Sequence, residues 1–401
     1  MGAVQEYREV FDWIDAQAAR MRDLVSKWAN LNTFSYNLAG LQQFADLLKK
    51  EWGALGDVEE LSLPTAESID ADGKLVHAPL GRALRIRKRT DAPRQIFLCI
   101  HMDTVYPPEG NFREVTLVDQ NTMRGPGVCD AKGGLAVMLI AVEALERSPW
   151  ASKVGWEVLI NPDEEIGSPG SSHLFDEAAR RNHVGLLFEP AMPDGSLVSH
   201  RGGSGSYSVV VRGRSAHAGR DPHLGRNAIV AAAELTVALS KLTADGIMMN
   251  VSKIDGGGPT NVVPDLAICR FNVRAKTPQD QQKIQSQIQD AVASFRDRDG
   301  IRMELHGGFH RPPKPLDAGT QHLQTQLESC ARELGIPVSW RYSGGVSDGN
   351  QLAAAGLPNL DSLGPRGGSI HSPDEFLMLN SLTERAKLAT LLIRSLTQGV
   401  L

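Results

Sequence analysis

The chain has 401 residues, 41% of them hydrophobic, enough to bury a large core over two or three domains. Its formal net charge of −5 is spread over both signs without a long basic run, so bulk attraction to nucleic acid or to an anionic membrane is not expected, and any anion selectivity must be local. No stretch approaches the roughly 18 uninterrupted apolar residues of a membrane span, and the opening MGAVQEYREVFDWIDAQ has no apolar segment of a secretory signal, so a cytoplasmic location is expected.

Taken in chain order, Tyr7, Val10, Phe11, Ile14, Met21, Leu24, Val25 and Trp28 recur at three- and four-residue steps and predict one amphipathic helix, followed by a second carrying Leu38, Leu41, Phe44, Leu47 and Leu48. Short strand-like runs at 83–88, 95–101, 155–161 and 184–188 then alternate with helical patterns at 133–146 and 171–181, which argues an α/β sheet with helices on its faces. From about 204 the rhythm changes to strand 206–212, helix 226–241, strands 247–254 and 265–274, helix 278–297 and strand 302–309, the order of a ferredoxin-like split unit. After HRPPKP at 310–315, a helix at 320–334, strands near 337–342 and 359–363 and a last helix at 381–397 resume the first pattern. The expected organisation is a discontinuous larger domain, 1–203 and 313–401, with an inserted α+β domain at 204–312.

Chemistry-bearing residues stand where apolar runs end. IFLCIHMDTV delivers His101, with Asp103 two residues on and able to accept the other ring N–H of that histidine. RGPGVCDAKGG sets Asp130 between a Gly/Pro turn and a helix opened by Gly133 and Gly134, and WEVLINPDEEIGSPGS runs a strand into Asp163, Glu164 and Glu165. Glu189 follows in FEP and His371 in IHSPDE. In open α/β sheets sites form where strands end, so these loops can converge. Cys99, Cys129, Cys269 and Cys330 lie far apart without metal-site spacing and read as reduced thiols.

In this order the motifs resemble the M20 metallopeptidases, and within them the carboxypeptidase G2-like (glutamate carboxypeptidase) branch. The resemblance rests on HMDTV at 101–105, GPGVCDAKGG at 125–134, NPDEEIGSPGS at 161–171, FEP at 188–190, SAHAG at 215–219, GGGPTNVVPDLAICRFNVR at 256–274, GGVSDGN at 344–350 and IHSPDE at 370–375. It implies a zinc-peptidase catalytic domain with the inserted domain acting as lid and dimerisation module, and a homodimer as the working form. It further implies two zinc ions per chain, with Asp130 shared between them, Glu165 and His371 completing one site and His101 and Glu189 the other; cobalt or manganese suits the same donors. Two cations about 3.5–4 Å apart can activate a water and stabilise the oxyanion formed when it attacks an amide.

By the same resemblance Glu164 is general base and then acid, and Asp103 orients His101. His217 reaches the partner subunit's site as an oxyanion donor. Asn261 and Arg274 hold a substrate carboxylate, the planar guanidinium through two parallel hydrogen bonds. The glycine-rich loop around Gly345 is expected to line the pocket, where a missing Cβ allows close approach. Arg311 stays outside this set, because FHRPPKP departs from the family's pattern. The activity implied is hydrolysis of an amide beside a residue with a free α-carboxylate. Carboxypeptidase is the first reading, an N-acyl-amino-acid deacylase of the acetylornithine deacetylase, succinyl-diaminopimelate desuccinylase or aminoacylase type the second, and a non-catalytic small-molecule binder on the same fold a remote third.

Overall fold

The computed structural model describes residues 7–295 and 298–398. Three helices open the chain: α1 (Arg8–Ala16), α2 (Ala18–Ala29) and α3 (Leu38–Trp52). The single helix expected over the first thirty residues is broken at Gln17, whose amide turns back to Ile14; the apolar spacing continues through that turn, so the sequence pattern does not register it.

The main sheet has six strands: β1 (Val58–Leu61), β2 (Ala83–Lys88), β3 (Gln95–His101), β4 (Gly155–Asn161), β5 (Val184–Leu187) and, far later in the chain, Asn359–Leu360. In space the order is β1-β2-β4-β3-β5 and then the 359–360 strand. β1 and β2 run antiparallel to their neighbours, while the other four are mutually parallel. β3 and β4 are buried over almost every residue, as a strand covered on both faces must be. Helix α4 (Gly134–Arg147) covers one face; Leu135 to Val142 are all fully buried, so it is apolar all round. Its first residue lies against the chain just before Glu189, where a Cβ would collide with the carbonyl of Phe188. Only glycine allows that approach. Helix α5 (Ser172–Arg181) packs its apolar side on the opposite face with Phe97, Cys99 and Leu159.

Residues 203–311 build a second sheet with its own core. Strands β6 (Gly203–Arg212), β7 (Ile247–Gly256), β8 (Leu266–Ala275) and β9 (Arg302–Arg311) lie in the order β7-β8-β6-β9, all antiparallel. Helices α6 (Ala228–Ser240) and α7 (Pro278–Ala293) cover one face, which is the ferredoxin-like arrangement. The helix expected to run to 297 ends at Ala293, and residues 296–297 lie outside those described. Downstream come α8 (Ala318–Glu333), α9 (Asp348–Ala354) and α10 (Asn380–Gln398), the last packing against α4. Small pairings such as Ala66–Ile69 with Leu75–Ala78 were not anticipated, because AESI and LVHA are short and largely exposed. Among the described residues no helix is long and apolar enough to cross a membrane, and all four cysteines are buried free thiols.

The two crossings between the sheets are tied together. Arg201 and Lys314 exchange backbone hydrogen bonds of 3.0 Å in both directions. Beneath them the buried carboxylate of Asp361 accepts from Arg201 Nε at 2.6 Å and Ser347 Oγ at 2.7 Å, with Lys314 Nζ at 3.9 Å. Asp361→Ala would leave two buried cations without their counter-charge, so a loss of about 3–5 kcal/mol of unfolding free energy is expected. Chemical denaturation measures it, and a change below about 1 kcal/mol would place the pair among those of little net worth.

Candidate active site

The four parallel strands of the main sheet end on one edge, and every predicted metal ligand but His371 and Asp130 follows directly from those ends. His101 is the last residue of β3; Asp163 to Glu165 turn off β4 in a 3-10 turn; Glu189 follows β5. Asp130 arrives from the side, at a kink in the turn Val128–Gly133 that leads into α4, where its own backbone is extended rather than helical (φ −113°, ψ 89°), and the peptide after it is cis. His371 comes from a loop late in the chain with a positive φ of 61°.

The donors converge around Asp130. His101 Nε2 lies 3.0 Å from Asp130 Oδ1 and 3.9 Å from Glu189 Oε2. His371 Nε2 lies 3.4 Å from Asp130 Oδ2 and 3.2 Å from Glu165 Oε2. Each oxygen of one aspartate therefore faces a different imidazole, and each imidazole has its own glutamate. His101, Asp130 and Glu165 offer donor atoms all within 4.8 Å of one another, a spacing that could hold a cation.

Charge in this pocket is unbalanced. Burial pushes the carboxyl of Glu189 well up, and burial together with Asp130 raises Glu165 to about 7. Burial also raises Glu164, to about 8, against the pull of Arg311 and His101. Asp130 is the exception: burial opposes its ionisation, but hydrogen bonds from both imidazoles hold it below the usual carboxylate range. His371 is pushed up to about 10 by its bonds to Asp130 and Glu165. A set of carboxylates that cannot all stay charged without added positive charge is the donor chemistry that a pair of divalent cations fits.

Asp103 does more than expected and does it differently. His101 Nδ1 lies closest to the Asp103 backbone carbonyl, at 3.0 Å, with the carboxylate at 3.3 Å. That carboxylate accepts from Ser35 Oγ at 2.7 Å and from the amides of Glu164 and Glu165 at 3.2 Å each. It thus fixes the backbone of both glutamates. Asp163, also buried, takes the amides of Gly170 and Ser171 and closes the same turn.

Arg311, left out of the sequence-based set, enters the site. The guanidinium is 2% exposed and donates through Nη2 to Glu164 Oε1 at 2.9 Å and through Nη1 to Asp348 Oδ1 at 2.6 Å. In the sequence the signal was an arginine at the end of a strand beside two prolines, which is indistinguishable from a linker charge.

The remaining predicted residues stand apart, and among the described residues no hydrogen bond or ion pair joins them to the cluster around Asp130. His217 is exposed, its Nδ1 accepting the amides of Gly219 and Arg220 at 3.1 Å; the neutral ring then carries its proton on Nε2, the donor nitrogen. Asn261 is a neighbour of that loop, its carbonyl accepting from Ala218. Arg274 is half-buried on β8 and donates Nε to Asn272 at 3.0 Å. Gly345 does not need its missing Cβ for packing: an added one would meet Ser343 Oγ at 3.3 Å and little else. Its amide and carbonyl are engaged by Ser343 and Arg201.

The sequence profile of peptidase family M20/M25/M40 matches residues 97–395. The chain belongs to that family. It is a metal-dependent hydrolase of the M20 scaffold, and the converged cluster is its candidate metal centre. Carboxypeptidase G2 of Pseudomonas sp. (strain RS-16) is 28% identical over 313 residues, covering 76% of this chain and 75% of its own. Succinyl-diaminopimelate desuccinylase of Pseudoalteromonas translucida (strain TAC 125) is also 28% identical, over 74% of this chain and 82% of its own. The crystal structure of Bacillus subtilis YXEP protein, a dinuclear metal binding peptidase of family M20, aligns with a TM-score of 0.65 at 16% identity, over 95% of this chain and 99% of that one.

Metal loading of this M20 hydrolase must displace protons. A group binds its proton below its pKa, so at neutral pH His371 (about 10) is protonated and Glu165 (about 7) is partly so. Apparent metal affinity should rise with pH by at least about tenfold per unit between about pH 6 and 8. Titration of the metal-free protein in weak buffer would detect the released protons, and an affinity independent of pH would contradict this charge assignment.

Proposed function

We propose that this chain is a dizinc carboxypeptidase of the glutamate carboxypeptidase type, cleaving an amide beside a residue with a free α-carboxylate. The observation that carries the reading is Asp130, whose two oxygens face His101 with Glu189 on one side and His371 with Glu165 on the other. That set suits two zinc ions sharing one carboxylate, which when bound supply Lewis acidity to the scissile carbonyl and to the attacking water.

The chain's own groups do the rest. Glu164 takes the proton of the attacking water and passes it to the departing amine. Arg311 holds that carboxylate from the side away from solvent. The Nε2–H of the exposed His217 suits a donor to the carbonyl oxygen of a neighbouring subunit's substrate. Arg274, which has no acidic partner among the described residues, suits the substrate α-carboxylate, with Asn261 alongside and Gly345 as part of the wall.

In this reading residues 204–312 form a lid and dimerisation domain on a catalytic domain made of 1–203 and 313–401, and the enzyme is a cytoplasmic homodimer. Val230 and Val237, one helical heptad apart on α6 and both more than half exposed, support an apolar face for a second copy. A second reading, hydrolysis of an N-acyl amino acid, is favoured by the desuccinylase relative, as similar to this chain as the carboxypeptidase. A panel of peptidyl and N-acyl amino acids, assayed with zinc for released amine, separates the two.

Three outcomes are expected. Glu164→Ala should lower kcat by about 10²–10⁴-fold with metal content kept, whereas Glu165→Ala should lose metal; metal loss from both would remove the base assignment. Arg274→Ala should weaken substrate binding by about 1.5–3 kcal/mol, and by less for substrates whose α-carboxylate is amidated. Inactive His217→Ala and Glu164→Ala chains, once shown to exchange subunits by tag co-purification, should regain activity on mixing; hybrids that stay inactive would confine His217 to its own chain.

A further inference from the structure

Four residues beyond His371, the side chain of Glu375 is fully buried and is not one of the five ligands. Its carboxylate accepts four hydrogen bonds. Oε1 accepts the amides of Cys129 and Asp130, each at 2.9 Å. Oε2 accepts the amide of Gly127 at 3.1 Å and the hydroxyl of Tyr106 at 2.7 Å. Two donors per oxygen leave no lone pair aimed at the metal cluster, so Glu375 is not a sixth ligand in waiting.

Three site segments meet on this one group. Gly127, Cys129 and Asp130 belong to the turn that presents the shared aspartate. Tyr106 ends the HMDTVY segment that starts at His101, and its hydroxyl also lies 3.0 Å from the carbonyl of Ser372. Glu375 itself closes the loop that carries His371, through its amide to the Ser372 carbonyl and its carbonyl to the amide of Gly125. Because Asp130 faces both imidazoles, a shift of its backbone disturbs both halves of the cluster together.

We propose that Glu375 is the positioning residue for the shared aspartate, holding the Asp130 turn and the His371 loop in register for two metal ions. The proposal rests on the two-metal reading above. Three amides and a hydroxyl all donate toward the carboxylate, so an acceptor-only anion is required. A glutamine of the same shape presents an N–H₂ where Gly127, or Cys129 and Asp130, already point a hydrogen. Removing a partner of this kind behind a metal ligand typically costs about 10–100-fold in metal affinity.

The test is titration of the metal-free full-length protein with cobalt(II), followed by its visible absorption and by competition with a chelator, alongside thermal unfolding. Wild type should take up two equivalents; failure to do so would sink the two-metal reading itself, independently of Glu375. In Glu375→Gln both equivalents should bind at least about tenfold more weakly, with an altered spectrum and with activity recovered at excess metal. Tyr106→Phe keeps the ring packed on Phe112 and removes one of the four donors, so it should show the same defect in milder form; it carries the test if the glutamine variant does not fold. Glu157→Gln, a buried carboxylate bound to Arg181 and Asn182 on the far side of the sheet, serves as a control for mere destabilisation. Two wild-type affinities and a wild-type spectrum in the folded variants, or a defect confined to one equivalent, would overturn the proposal.

Discussion

Buried negative charge is the constraint on which this structure turns. Asp103, Asp130, Glu189, Asp348, Asp361 and Glu375 are all nearly or wholly inaccessible, and they lie along one edge of one sheet or in the loops that reach it. An isolated carboxylate in such a place would cost many kcal/mol, and all of these but Glu189 have a close compensator. The compensators differ. Asp103 and Glu375 are held by backbone amides and hydroxyls, Asp348 and Asp361 by arginines, and Asp130 by two imidazoles. The Asp130 cluster, with Glu165 and Glu189 beside it, has among the described residues neither an arginine nor backbone amides on its carboxylates, and that shortage is what makes it the candidate metal centre and the rest its scaffold.

The division between scaffold and centre explains why the second sheet is not a detached appendage. The crossings into and out of residues 203–311 end in Arg201 and Arg311, and both arginines are spent on carboxylates of the main sheet's edge. Arg311, the last residue of β9, also holds Glu164. The proposed base is thus positioned from two directions: its amide by Asp103 on the main sheet, its carboxylate by the strand that closes the other sheet.

Backbone geometry, more than side-chain choice, sets the spacing of the cluster. Parallel strands about 4.8 Å apart bring His101, Glu165 and Glu189 to one edge without any of them being near in sequence. Asp130 needs a turn whose amides have no partners of their own, and Glu375 supplies those partners from a loop some 245 residues later in the chain. His371 is delivered by the same loop. The second coordination of the site is therefore as long-range as the first.

Much of this was legible in the sequence. Apolar runs with His101, Glu165 and Glu189 at their ends marked the parallel strands, since a strand buried on both faces has no polar alternation and must stop where charge begins. The βαββαβ rhythm marked the second sheet for the same reason, each period change being a change of secondary structure. The five residues expected as ligands were picked out by motif order, and the structure brings their side chains into one cluster. What the sequence could not carry were interactions whose partners have no local signature. The break at Gln17 is invisible to periodicity, the short exposed pairings have no apolar pattern, and the carboxylate of Asp103 chose the Glu164 and Glu165 amides as well as His101. Arg311 read as a linker charge and Glu375 as one letter of a motif with no role of its own; only the tertiary structure, by burying them against groups far away in the chain, made one the counter-ion of the proposed base and the other the anchor of the Asp130 turn, because burial is a property of the whole fold and not of any segment.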